Sequence, residues 1–108
     1  MELVKLSTSD KDDSVKYVLK LNGKEIGHGY IFSREINPIE IYIEKDYQSN
    51  GCGKFLFSSL LNILKASGLK GIIFELDENC YKFINIIKQS GAIEVGRQLP
   101  KIKFIVKL

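Results

Sequence analysis

The sequence predicts a mixed α/β fold, on three observations: apolar residues alternate with polar ones along its first half, two helix-period stripes follow, and two alternating strands close the chain. At 108 residues one domain spanning 1–108 is expected, long enough to fold around its own core without disulfides or a structural metal. The composition is that of an ordinary globular protein, 44% hydrophobic and 27% charged. No apolar run approaches the ~20 residues of a membrane crossing, so neither a membrane nor a signal-peptide core is implied, and a cytoplasmic location is expected.

The elements are read in order. A short segment around Leu3 to Leu6 opens the chain, and Ser7 to Ser14 is a polar, acidic loop. Val15, Tyr17, Leu19 and Leu21 alternate; Asn22-Gly23 supplies the positive φ pair of a tight hairpin turn; Ile26, His28, Tyr30 and Phe32 resume the alternation. After a turn at Asn37-Pro38, Ile39, Ile41 and Ile43 mark a third long strand. From Lys54 the period becomes helical, with Leu56, Phe57, Leu60, Leu61 and Leu64 on one face and Gly68 as the stop. Gly71 to Phe74, short and apolar on both faces, suits an interior strand. Cys80, Phe83, Ile84 and Ile87 give the second helix, closed by Ser90-Gly91; Ala92 to Val95 and Ile102 to Leu108 are the last strands. The crossover from Ile39 to Leu76 implies a parallel pair within a mostly antiparallel mixed sheet.

Charge and cysteines exclude several classes. The chain carries 16 Lys and Arg against 13 Asp and Glu, a net charge of +3, but the lysines are scattered among acids rather than clustered in a stripe, which speaks against nucleic acid as a partner. The two cysteines, Cys52 and Cys80, form no Cys/His cluster, and no metal is expected.

The chemistry is concentrated in the loop Gln48-Ser49-Asn50-Gly51-Cys52-Gly53-Lys54. Glycines between a strand and a helix let successive N–H groups face outward at the positive end of a helix dipole, which suits a phosphate or pyrophosphate. The alternative is that Gly51 and Gly53 only turn the chain. A nucleotide-hydrolysing P-loop is excluded, because Phe55 follows Lys54 where Ser or Thr is needed. A dinucleotide fingerprint is disfavoured, since Leu56 stands in its third glycine position.

Ile43 to Gly53 resembles the Q/R-x-x-G-x-G/A motif of the GCN5-related N-acetyltransferases (GNAT), and the element order downstream, through Lys101 to Val106, is similar to that family's. The resemblance implies a GNAT-like acyl-CoA N-acyltransferase fold, here lacking the early helix pair. It implies acetyl-CoA or another acyl-CoA as co-substrate, with pyrophosphate on the backbone of Gln48, Ser49, Asn50, Gly51, Cys52, Gly53 and Lys54. The pantetheine arm would pair with Ile41, Tyr42 and Ile43, and Asn79, or Cys80 beside it, would help hold the cofactor.

The resemblance also implies direct attack of an amine on the thioester, with Glu40 as the candidate base. Without a β-bulge, Glu40 sits on the opposite face from Ile39, Ile41 and Ile43. The tyrosine that members place four residues before the Gly91 position, which protonates the leaving thiolate, is Ile87 here, and the nearest tyrosine is Tyr81; His28 is a second candidate base, and each of these two has a structural role as its alternative. With only Ser7 to Ser14 in place of two helices, the acceptor side is expected to be open, for a small-molecule, peptide or protein amine or for a second copy in a homodimer. The alternative function is a non-catalytic CoA- or acyl-CoA-binding module or partner subunit with a degenerate active site.

Overall fold

The computed structural model describes residues 1–6, 13–48 and 50–108. Its strands are β1 (Glu2–Lys5), β2 (Ser14–Leu21), β3 (Lys24–Phe32), β4 (Ile39–Ile43), β5 (Gly71–Asp77), β6 (Ile93–Gln98) and β7 (Lys101–Lys107), and its helices α1 (Cys52–Ala66) and α2 (Tyr81–Gln89). Asn22 and Gly23 have φ of 52° and 82°, as the hairpin turn between β2 and β3 requires. Most of the expected loop at Ser7 to Ser14 lies outside the described residues.

The strands form two antiparallel sheets, β1-β2-β3-β4 and β5-β7-β6. In the first, the register aligns Tyr17, Gly29 and Ile41 in one row and Leu19, Gly27 and Ile43 in the next. This face meets α1 closely: a Cβ on Gly29 would stand 2.7 Å from Leu60 Cδ1. In the second sheet Ile72, Phe74, Ile102, Phe104 and Val106 are buried. Phe57 of α1, Phe74 of β5 and Phe83 of α2 meet pairwise at ring separations of 5.6–5.8 Å, joining both helices to one core.

Three sequence expectations are refined. The expected parallel pair of β4 and β5 does not form: among the described residues a single parallel bridge, Ile36 to Ile73, joins the segment before β4 to β5, after which the strands part. Gly71 to Phe74 is an edge strand, with β7 in the middle of its sheet; the run reads as apolar on both faces because Ile73, half-buried on the outer face, pairs across with Ile105. Helix α1 begins at Cys52, two residues before the apolar period shows it, and a short 3₁₀ turn at Lys45–Tyr47 precedes it.

Candidate functional site

The divergence of β4 and β5 creates the site. Glu44 N–H donates to Ile26 O at 2.9 Å and Phe32 N–H to Pro38 O at 2.7 Å. Antiparallel alternation between these bonds turns the backbone groups of Glu40 and Tyr42 towards β3 and those of Ile39, Ile41 and Ile43 outward. On β5, Leu108 N–H donates to Lys70 O and Glu78 N–H to Pro100 O, so the same alternation turns Ile73, Glu75 and Asp77 towards β4. Two strand edges thus face each other across a wedge.

Asn37 closes its apex. This residue has φ of 52°, a left-handed conformation that Asn adopts more readily than most. Its N–H donates to Ile73 O at 2.9 Å. Its side-chain Nδ2 donates to Glu75 O at 3.0 Å, and its Oδ1 accepts from Glu75 N–H at 2.9 Å.

The wide end of the wedge meets the start of α1. Gly51, at φ 75°, is the residue before the helix and offers no side-chain cap, which leaves the N–H groups of Cys52, Gly53 and Lys54 without intrahelical partners. No acid occupies the first turn; Lys54 stands there instead, against the preference of a helix dipole for negative charge. A bound anion would reverse that penalty.

Between these ends lies a cleft of about 550 Å³, lined by Ile39, Glu40, Ile41 and Ile43 on one side and Leu76, Cys80, Phe83 and Ile86 on the other, with Asn37, Arg34, Gln48, Gly53 and Lys82 around it. Its size is that of a small-molecule site, and its walls are mainly apolar.

The expected site residues divide. Ile41, Ile43, Gln48, Gly53 and Glu40 line the cleft, as does Cys80, whereas Asn79 does not; the Asn79 N–H is turned to Asp77 Oδ1 at 2.9 Å. Tyr42 is half exposed, and its backbone is committed to β3. Ser49 lies outside the described residues. Asn50 turns its N–H to Tyr47 O at 3.4 Å. Gln48 donates through Nε2 to Ile43 O at 2.9 Å, bracing the end of β4. Cys52 is buried in the core, and Lys54 is exposed.

The β4 register is unbroken, so Glu40 shares a face with Tyr30 and Tyr42, as expected without a bulge. Its carboxylate accepts from Arg34 Nη2 at 3.1 Å, both side chains being half exposed. His28 meets Tyr30 edge-on and Tyr42 at a tilt, at ring separations of 5.7 and 5.3 Å, and Tyr81 is 61% exposed; neither lines the cleft.

Ile87 is fully buried. The α2 positions that line the cleft are Lys82, Phe83 and Ile86, with Cys80 just before the helix, so the apolar part of that wall is formed by Phe83 and Ile86, one helical face away from Ile87. Sequence reading missed Asn37 and Arg34. The only signal for Asn37 was Asn before Pro, which reads as a turn; its bond to Glu75, 38 residues on, has no local signature.

Among the described residues no cluster of His, Cys, Asp and Glu could hold a metal ion, and no helix is long and apolar enough to cross a membrane.

No family model and no curated protein matches the sequence. Solved structures do match its shape. A domain from Methanocaldococcus jannaschii superposes with a TM-score of 0.76 at 20% identity, over 92% of this chain and 70% of that one. The acetyltransferase of the GNAT family from Streptococcus pneumoniae gives 0.72 at 20% identity, over 92% and 69%. A GNAT family acetyltransferase from Elizabethkingia anophelis, with acetyl-CoA bound, gives 0.73 at 13% identity, over 89% and 77%. The chain has the fold of the GNAT acetyltransferases, as its loop and element order led one to expect.

Proposed function

We propose that the protein is an acyl-CoA N-acyltransferase that uses acetyl-CoA and an amine acceptor. The observation that carries this reading is the wedge: a strand edge that no neighbouring strand pairs among the described residues, with Ile41 and Ile43 facing inward, runs from a helix N-terminus without a side-chain cap to an apolar slot. A diphosphate suits the N–H groups of Cys52, Gly53 and Lys54. An extended arm bearing amides suits the edge of β4, where the outward backbone groups of Ile41 and the Ile43 N–H face the wedge, Ile43 O being held by Gln48. A thioester suits the slot among Ile39, Ile41, Leu76 and Phe83. The structural match to a GNAT enzyme with acetyl-CoA bound supports the same assignment.

In the proposed reaction the amine nitrogen attacks the thioester carbon, forming the N–C bond, and the C–S bond breaks as the tetrahedral intermediate collapses. Glu40, at the rim of the cleft, takes the amine proton directly or through a water. The sulfur leaves as thiolate, a good leaving group because its conjugate thiol has a pKa near 8.5, and takes its proton from water afterwards, so a wall without a tyrosine does not block the step. Positioning supplies most of the acceleration.

The apolar side chains of Phe83 and Ile86 favour a second reading, a CoA-binding module without turnover. Acetyl-CoA consumption with a panel of primary amines, followed by release of free thiol, separates the two. Turnover with any amine supports the transferase. Saturable acetyl-CoA binding with no turnover across small amines, polyamines and peptide N-termini supports the module.

A further inference from the structure

We infer that the side-chain amide of Asn37 is the acyl-length stop of the cleft, a positioning residue that sets which acyl group fits; the inference rests on the acyl-CoA reading above. The edges of β4 and β5 would pair directly in a continuous sheet. Here the Asn37 amide takes the place of a strand peptide, satisfying both outward backbone groups of Glu75 at 2.9 and 3.0 Å. Beyond that link the strands separate, so Asn37 forms the closed end of the wedge and lines the cleft.

The link is held from both sides. The left-handed backbone at Asn37 fixes where its side chain starts, and the adjacent Pro38 restricts the chain further. Asn37 O accepts from Arg34 Nε at 2.9 Å, and the same guanidinium holds Glu40 at 3.1 Å. The apex and the proposed base are therefore positioned by one arginine.

Direction follows from the other end. With diphosphate at the start of α1, the arm runs along β4 from Ile43 towards Ile39, about 13 Å of extended chain, and the acyl group arrives at the narrow end between Ile39 and Leu76. A short acyl group fits ahead of the Asn37–Glu75 link. A longer one has to displace the amide, and its two hydrogen bonds to Glu75 are then lost together.

The test compares equilibrium binding of CoA, acetyl-CoA and hexanoyl-CoA to the wild-type protein, Asn37→Gly and Asn37→Asp. Glycine keeps the positive φ and removes the amide; aspartate keeps the acceptor for Glu75 N–H and loses the donor. Wild type is expected to prefer acetyl-CoA over hexanoyl-CoA by about tenfold or more. In Asn37→Gly that preference falls by about fivefold or more, while CoA itself binds within about twofold of wild type. Asn37→Asp sets a carboxylate oxygen against Glu75 O where the amide donated at 3.0 Å, so it too breaks the link and lowers the preference by about threefold or more, and it carries the comparison if the glycine variant does not fold. Equal preference in wild type and variants overturns the stop, as does a loss shared equally by all three ligands. A wild-type protein that binds none of them overturns the acyl-CoA reading and the stop with it.

Discussion

Ile86 of α2 occupies the space where Gly53 of α1 would carry a side chain: a Cβ built on Gly53 stands 2.8 Å from Ile86 Cδ1. The sequence places Gly53 in a phosphate-binding loop, where lack of a side chain lets a ligand reach the backbone. The structure adds that the same absence lets the two helices meet at the cleft. A substitution at Gly53 therefore acts on packing before it acts on any ligand.

Gly53→Ala is expected to cost less than about 1 kcal/mol, because the one atom in its way, Ile86 Cδ1, ends a half-buried side chain that can turn aside, and alanine gains helix propensity over glycine. Ile86→Val, which removes the obstructing methyl, costs about 0.5–1.5 kcal/mol alone. The double variant should be more stable than the sum of the two by about 0.5 kcal/mol or more. Urea denaturation of the four proteins measures this; strict additivity would show that the two positions do not compete for space.

Lys54 gives a prediction with opposite signs in the two states. Lys54→Glu places an acid in the first turn of α1 and should stabilise the ligand-free protein by about 0.3–1 kcal/mol. The same change puts a carboxylate beside the proposed diphosphate site and should weaken CoA binding by about tenfold. Melting temperature without ligand and calorimetry with CoA read the two effects; CoA binding unchanged by the substitution would place the anion elsewhere.

Glu40→Gln should leave acetyl-CoA affinity within about twofold while lowering the acylation rate by about 10²–10⁴. The amide keeps the size of the side chain and can still accept from Arg34. A loss below about tenfold would instead show that the acceptor amine arrives neutral and that positioning, rather than a carboxylate base, carries the reaction.

Ile87→Tyr would restore a tyrosine at the position that the family pattern suggests. Because Ile87 is fully buried, the variant should lose about 1–3 kcal/mol of stability, lowering the melting temperature by several degrees, and gain no rate. A rate gain with undiminished stability would show that this position reaches the cleft.

Much of the architecture is legible in the sequence because burial leaves a period. Ile39, Ile41 and Ile43 alternate, Leu56 to Leu64 repeat at helical spacing, and Asn22-Gly23 supplies a turn that few other pairs can make. The loop from Gln48 to Lys54 is legible for the same reason: glycine at a strand-to-helix junction has a local conformational meaning, and Gly51 has the positive φ to match. What the sequence hides is non-local. The Asn37 amide reaches across to Glu75, and the face of α2 that meets the cleft depends on a one-residue rotation that puts Ile86 rather than Ile87 at its wall. The edge strand β5 read as interior because Ile73 is apolar on a face that only a partner strand explains. β6 is legible at Ala92 to Val95, but its end at Gln98 is not, since all six of its residues are exposed and Gly96 to Gln98 carry no apolar signal.

The central claim is that acetyl-CoA lies along β4 with its diphosphate at the start of α1, and backbone amide shifts in a nuclear magnetic resonance titration test it most directly. The account predicts that the amides of Ile41, Ile43, Cys52, Gly53 and Lys54 shift together, saturably and with one midpoint, while those of Glu40 and Tyr42, committed to β3, move less. Absence of saturable shifts at millimolar acetyl-CoA, or shifts confined to lysines outside the wedge, would contradict it.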